Sequence, residues 1–318
     1  MSKIEPIIKR TAGCRTKLQV RAILRYVNQV WQCAAANFRR WRRSPQILLA
    51  FALAFILCFL LSDKVLLFAS EHNTLLQAAE PFIWTFGDAD SVLIVSLLLL
   101  LLFADMPNLG NEVPLFLIRV NRTVWMAGQM VYLVLATLAL MTFILAATCL
   151  LSWSKAYPAN LWSDTAAILG YSDIGEQIAV PAFVKVLELS FPYECMLHIF
   201  GLLLGYAVLL AALMLCLNLF RENGGMIGGI LFSGFGFLFN PEIIANLLKL
   251  PPEQSRIANI VFGWISPLNH ATYYMHNFGY DNLPRLGVSY LFFGAGSILL
   301  FVVAMRKIKT YNFQFTGS

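Results

Sequence analysis

Residues 47–61 form an unbroken apolar run, and residues 97–102 are six consecutive leucines inside another. A helix of about 20 apolar residues has no stable place in water but crosses a bilayer. Runs of this kind recur along the chain and constrain its fold more than any other feature. Six segments qualify. The first covers 47–62 and, past Asp63 and Lys64, reaches 69. The second is 91–104, with 82–90 completing its length. The others are 124–153, 196–220, a short glycine-rich 226–240, and 283–305. Composition agrees: 59% of the 318 residues are hydrophobic and 13% charged, against about 45–50% and about 25% in soluble domains. That balance excludes a soluble enzyme, a disordered chain, a collagen and a disulfide scaffold, though not a membrane enzyme.

Charge sets the expected direction. With the N-terminus in the cytoplasm, segments 1–46, 105–123, 221–225 and 306–318 lie inside and hold 17 of the 23 Lys and Arg residues. The outer segments hold the other 6. This positive-inside bias predicts that both termini are cytoplasmic. The late, basic start predicts no cleavable signal peptide. The net charge of +6 therefore reports topology, with no nucleic-acid partner implied.

The basic N-terminal region is itself patterned. Val20, Leu24, Val27, Trp31, Ala34, Phe38 and Trp41 fall at alternating four- and three-residue steps, on one helical face. Arg21, Arg25, Arg39 and Arg43 fall largely elsewhere. An amphipathic helix lying in the inner leaflet boundary is expected; packing on a partner subunit or a plain positive anchor are the alternatives. Ser44-Pro45 then turns the chain into the first span.

The loop 105–123 carries Leu115, Phe116, Leu117 and Ile118 beside Glu112, Arg119 and Arg122, with Asn108 as a helix-capping residue and Pro114 at a helix start. A passive connection needs no such apolar cluster, so a protein contact is expected. The alternative is a run at the lipid interface. On the other side, the loop 154–195 is long and has room for one or two short helices. Residues 241–282 hold two apolar pieces, 243–250 and 257–265, each too short to cross. Pro241, Pro251, Pro252 and Pro267 break them into a re-entrant helical hairpin.

Chemistry is sparse. His72, His198, His270 and His276 make no i, i+4 metal pair, so no metal site is expected. The six cysteines are scattered; only Cys149 and Cys195 fall near the same surface. Ser233 lies among glycines but lacks the first glycine of a nucleophile elbow. No phosphate-binding GxxxxGK[ST] sequence occurs, and no paired carboxylates lie deep in a span. No catalytic residue is assigned.

The layout of an amphipathic helix at 20–41, a contact loop at 107–122 and a proline-broken hairpin at 241–269 resembles the permease subunits of type-2 ABC exporters. The resemblance covers nearly the whole chain at the level of layout; the long 154–195 loop departs from the shortest members. It implies an all-α integral membrane protein of six transmembrane helices in the plasma membrane. The parts would be a cytoplasmic basic region at 1–46, a transmembrane domain at 47–308 and a tail at 309–318. It further implies docking on a separate cytosolic ABC ATPase, which binds ATP and Mg, through Asn108, Glu112, Leu115, Phe116, Ile118, Arg119 and Arg122. A second permease subunit, the same or homologous, and membrane lipid are the other implied partners. Ser233, Phe235, Phe237 and Phe239 would then mark the pathway or dimer face. This chain would hold no cofactor. A membrane scaffold or sensor-associated subunit that transports nothing is the alternative reading, and an unrecognised membrane enzyme the third.

Overall fold

The computed structural model describes residues 5–107, 113–172, 174–178, 180, 184–238, 241–249, 251, 255–279, 282–311 and 313. Among the described residues the fold is all-α apart from one two-residue strand pair. Helices α1 (Glu5–Arg40), α2 (Pro45–Glu71), α3 (Glu80–Phe86), α4 (Ala89–Phe103), α5 (Val113–Arg119) and α6 (Arg122–Ser152) make up the first half. Short helices α7 (Asp164–Tyr171), α8 (Ile174–Gln177) and α9 (Val184–Leu189) precede α10 (Pro192–Asn218) and α11 (Gly224–Leu238). Then come α12 (Pro241–Leu247), α13 (Ser255–Ile265), α14 (Pro267–Ala271) and α15 (Leu286–Lys307).

Among the described residues, four helices, those built on α2, α6, α10 and α15, are long and apolar enough to cross a membrane unaided. At about 1.5 Å per residue the 22 residues of α15 already span about 33 Å, more than the roughly 30 Å of a hydrocarbon core. Two bent pairs, α3 with α4 and α11 with α12, raise the number to six if each pair is one span. The chain is thus a membrane-spanning protein. Residues 82–90 do not continue α4 as one straight helix: α3 meets α4 at 84°. Asp88 causes the break: its backbone is extended and its carboxylate accepts from Asp90 N, starting α4 as a new helix. α3 therefore lies across the ends of its neighbours α2, α4, α6 and α10, and all its residues are buried.

α10 is the central helix, packed on α4, α6, α11 and α15. Close approach of α11 to α10 and α4 depends on small residues. A side chain at Gly225 would fall 2.3 Å from the Met214 carbonyl, and one at Gly229 would fall 2.4 Å from Leu100 of α4. These glycines serve packing in a membrane, where contact rather than water exclusion holds helices together.

The bundle has two distinct ends. At the basic end lie α1, α5, the α10–α11 turn and the C-terminal segment. Asn218 ties that end together: its amide nitrogen donates to the Ala104 and Met106 carbonyls, and its carbonyl oxygen accepts from Gly225 N at 2.7 Å. The opposite end carries α3, α7 to α9 and α12 to α14. There β1 (Leu76–Gln77) pairs in parallel with β2 (Ala156–Tyr157). Loop 154–195 holds three short helices rather than one or two. Cys149 and Cys195 are both free thiols.

Candidate functional site

The basic end is built on the seam between α1 and α6. The 4-3 apolar spacing continues into real packing only in the last turns of α1. There Cys33 meets Gly128, where an added Cβ would lie 2.4 Å from the Cys33 Cβ. One and two turns on, the Asn37 amide donates to Gln129 Oε1 at 2.9 Å and the Trp41 indole donates to the Tyr132 hydroxyl at 2.9 Å. Phe38 packs between them, with its ring centroid 5.0 Å from both Trp41 and Tyr132. Asn37 and Gln129 are both buried, so this bond satisfies an amide donor on α1 and an amide acceptor on α6. Trp41 is in a short 3-10 turn rather than in α1 itself, but holds the expected face.

The other predicted residues of this helix are placed differently. α1 begins at Glu5, well before Val20. Val20, Leu24, Val27 and Trp31 are all exposed, Trp31 at 57%, and Arg21 and Arg25 are exposed beside them. α1 is thus anchored at its C-terminal end and projects an unpartnered amphipathic stretch.

α5 lies on this seam. Val113, at its start, is 2% exposed and closes a small cavity with Cys33, Asn37, Arg40, Trp125 and Gln129. Ile118, five residues along and so towards the other face, is 81% exposed, and Arg119 is exposed beside it. Asn108 and Glu112 lie outside the described residues, as do the side chains of Leu115 and Phe116. Arg122 faces within the chain. Its guanidinium donates to the Tyr311 carbonyl at 3.1 Å and the Lys309 carbonyl at 3.5 Å, and covers the Phe313 ring at 5.2 Å. Phe313 in turn meets Trp125 edge-on. The C-terminal segment is therefore strapped to the start of α6, next to α5.

Along the bundle, Ser233 does not line an open surface. It is 2% exposed and accepts a 3.4 Å hydrogen bond from Tyr206, whose hydroxyl also lies 3.0 Å from Ser96 Oγ. Phe235 faces outward, on a groove of about 800 Å³ between α10 and α11 lined by Leu213, Leu217, Leu231, Phe232 and Leu238. The Phe237 side chain and Phe239 lie outside the described residues.

The opposite end holds groups that spacing alone does not reveal. Glu80 is fully buried. Its carboxyl accepts from Gln77 N at 3.1 Å, Ser163 N at 2.8 Å and Ser163 Oγ at 2.6 Å. Burial pushes it up from 4.5 to about 7, against the Ser163 and Gln77 hydrogen bonds, which favour the charged form. It fastens loop 154–195 to α3, aided by Thr74 with Thr165 at 2.7 Å and by Trp84 against Trp162. Nearby, His270 and His276 both reach Ser289. Among the described residues, no cluster of three or more His, Cys, Asp or Glu could hold a metal.

No protein-family model, no curated protein and no solved structure matches this chain.

Proposed function

We propose that this chain is the permease subunit of an ATP-binding cassette exporter, coupled to a separate cytosolic ATPase and paired with a second permease subunit, the same or homologous. The observation that carries this reading is α5. It is rooted by buried Val113 in the α1–α6 seam, and it offers Ile118 and Arg119 outward from the basic end. An exposed isoleucine beside a cation, on a short helix braced by two long ones, suits a lever that a partner grips and pushes. Partner surfaces are commonly anchored by such apolar insertions, with charges at the rim.

In this reading the basic end is cytoplasmic, as the 17-to-6 distribution of Lys and Arg favours. The bundle has six spans in the plasma membrane, counting α4 and α11, and α12 to α14 form a re-entrant hairpin on the outer side. α1 lies along the inner leaflet with Trp31 and Leu24 in lipid. The chain performs no catalysis: ATP and Mg are bound by the partner. The apolar groove between α10 and α11 is then the lateral face for the second subunit or for an amphipathic cargo.

The test is purification of the tagged chain from its native membranes, followed by assay of ATP hydrolysis and identification of co-eluting chains. An ATPase that co-elutes from wild type and is lost with Ile118→Asp is expected. A histidine kinase as the sole stoichiometric partner would instead favour a sensor-associated subunit.

A further inference from the structure

Two imidazoles converge on one hydroxyl at the end of the bundle opposite the basic termini. His270 belongs to α14, His276 follows the turn Tyr273–Met275, and Ser289 lies in the first turn of α15. Ser289 Oγ stands 2.7 Å from His270 Nδ1 and 2.8 Å from His276 Nε2. His270 is 2% exposed, and His276 and Ser289 are completely buried. The two remaining ring nitrogens face carbonyls. His270 Nε2 is 3.1 Å from the Trp264 oxygen. His276 Nδ1 is 2.9 Å from the Thr272 oxygen and 3.1 Å from that of Tyr273.

A carbonyl has no hydrogen to give, so His270 Nε2 and His276 Nδ1 each carry one; the tautomers are assigned from these partners. A neutral imidazole has a single N–H. In two neutral rings, His270 Nδ1 and His276 Nε2 are therefore both bare acceptors, and both need the one proton of Ser289. The hydroxyl serves one of them. The other then faces an oxygen lone pair at hydrogen-bonding distance. One added proton resolves the conflict: the second ring donates to Ser289 Oγ while Ser289 donates to the first.

We propose that His270, Ser289 and His276 form a proton-binding site, which takes up from solvent one proton more than two neutral rings hold. Once loaded, the hydrogen-bond chain runs unbroken from the Trp264 carbonyl to those of Thr272 and Tyr273, and joins the α13–α14 segment to the first turn of α15. The Phe292 ring, stacked on His270 at 5.0 Å, offers its π face to the added charge.

The surroundings set how hard the site is to load. Burial opposes it, pushing His276 down to about 4, and His270 and His198 repel a charge there. His198 of α10 lies 3.2 Å from the Tyr290 hydroxyl of α15 and stacks on Tyr273. Glu194 and Cys195 of α10 act on Tyr273, and Asp88, which caps α4, acts on Tyr274. Asp90 in the first turn of α4, Arg256 of α13 and Arg285 before α15 stand at element ends, and α11 carries no titratable side chain. Among the described residues no carboxylate bonds either ring, so no fixed anion relieves the conflict in place of the proton.

The test uses the purified chain alone in lipid nanodiscs, so its outcome is independent of the exporter reading. Imidazole nitrogen chemical shifts of 15N-histidine-labelled protein are followed from about pH 8 to about pH 2.5, with rings assigned by substitution. One proton shared between His270 and His276 is expected. In Ser289→Ala its uptake moves about one pH unit or more towards acid, because the acceptor for the added N–H is gone. Ser289→Thr keeps the hydroxyl and restores the wild-type titration. His276→Gln presents a permanent amide N–H towards Ser289, and His270 then stays neutral throughout. The proposal is overturned if both rings stay neutral across the range in wild type, or if Ser289→Ala leaves both titrations unchanged.

Discussion

Buried amides and carboxyls decide how the two ends of this bundle hold together. Asn37 donates to Gln129 Oε1 across the α1–α6 seam. Replacing Asn37 by Leu leaves the Gln129 carbonyl oxygen buried without its donor, a cost of about 1–3 kcal/mol. The expected result is a lowered thermal midpoint with unchanged helical content by circular dichroism. At the far end, Glu80 has its folded-state pKa raised to about 7 from 4.5. Below about 4.5 the folded and unfolded chains are both protonated there, and the contribution is intact. Between about 4.5 and about 7 only the unfolded chain ionises, so stability falls as pH rises, by on the order of 3 kcal/mol in all. Glu80→Gln removes the ionisation while keeping an oxygen acceptor. Its thermal midpoint in detergent should lose the decline that wild type shows across this window. An identical decline in both proteins would mean that Glu80 is not the group responsible.

At the scale of elements, legibility followed the period of the pattern. The long apolar runs were readable because length alone distinguishes a membrane helix. The α1 face was readable from its 4-3 spacing, but the pattern does not say where packing stops. Phe38 and Trp41 meet α6, whereas Val20 to Trp31 run past the bundle. The break between α3 and α4 was hidden because Asp88 and Asp90 look like the polar end of a continuous span; their capping geometry appears only in the fold. Glu80 with Ser163 and His270 with His276 and Ser289 were illegible for another reason. Their partners lie 83, 19 and 13 positions away, across different elements, where no helical or strand period operates. The projecting half of α1 makes its own prediction. Trp31→Glu and Leu24→Glu place charge on its apolar face, and a charged group opposes insertion among lipid acyl chains. Tryptophan fluorescence of a variant retaining only Trp31 should shift to the blue on transfer from detergent to anionic bilayers. Adding Leu24→Glu should abolish the shift. No shift in the parent would place this face against protein or water.

For the whole molecule, the distribution of basic residues and the two structured ends make one topological statement. A single cysteine at Arg119 and one at Trp153, in a chain otherwise free of cysteine, should react with impermeant maleimide from opposite sides of the membrane. Reaction of both from the same side of sealed cells would break the bundle's orientation. The exporter reading asks more: that the exposed edge of α5 touches a nucleotide-hydrolysing chain. The most direct measurement puts a photo-crosslinking amino acid at Ile118 in the intact cell and identifies the captured chain by mass spectrometry. A cross-link to a cytosolic protein bearing a GxxxxGK[ST] phosphate-binding loop is expected, and none when the same group stands at the exposed Leu291 of α15. Capture of lipid alone at Ile118, or of a protein without a nucleotide-binding loop, would contradict it.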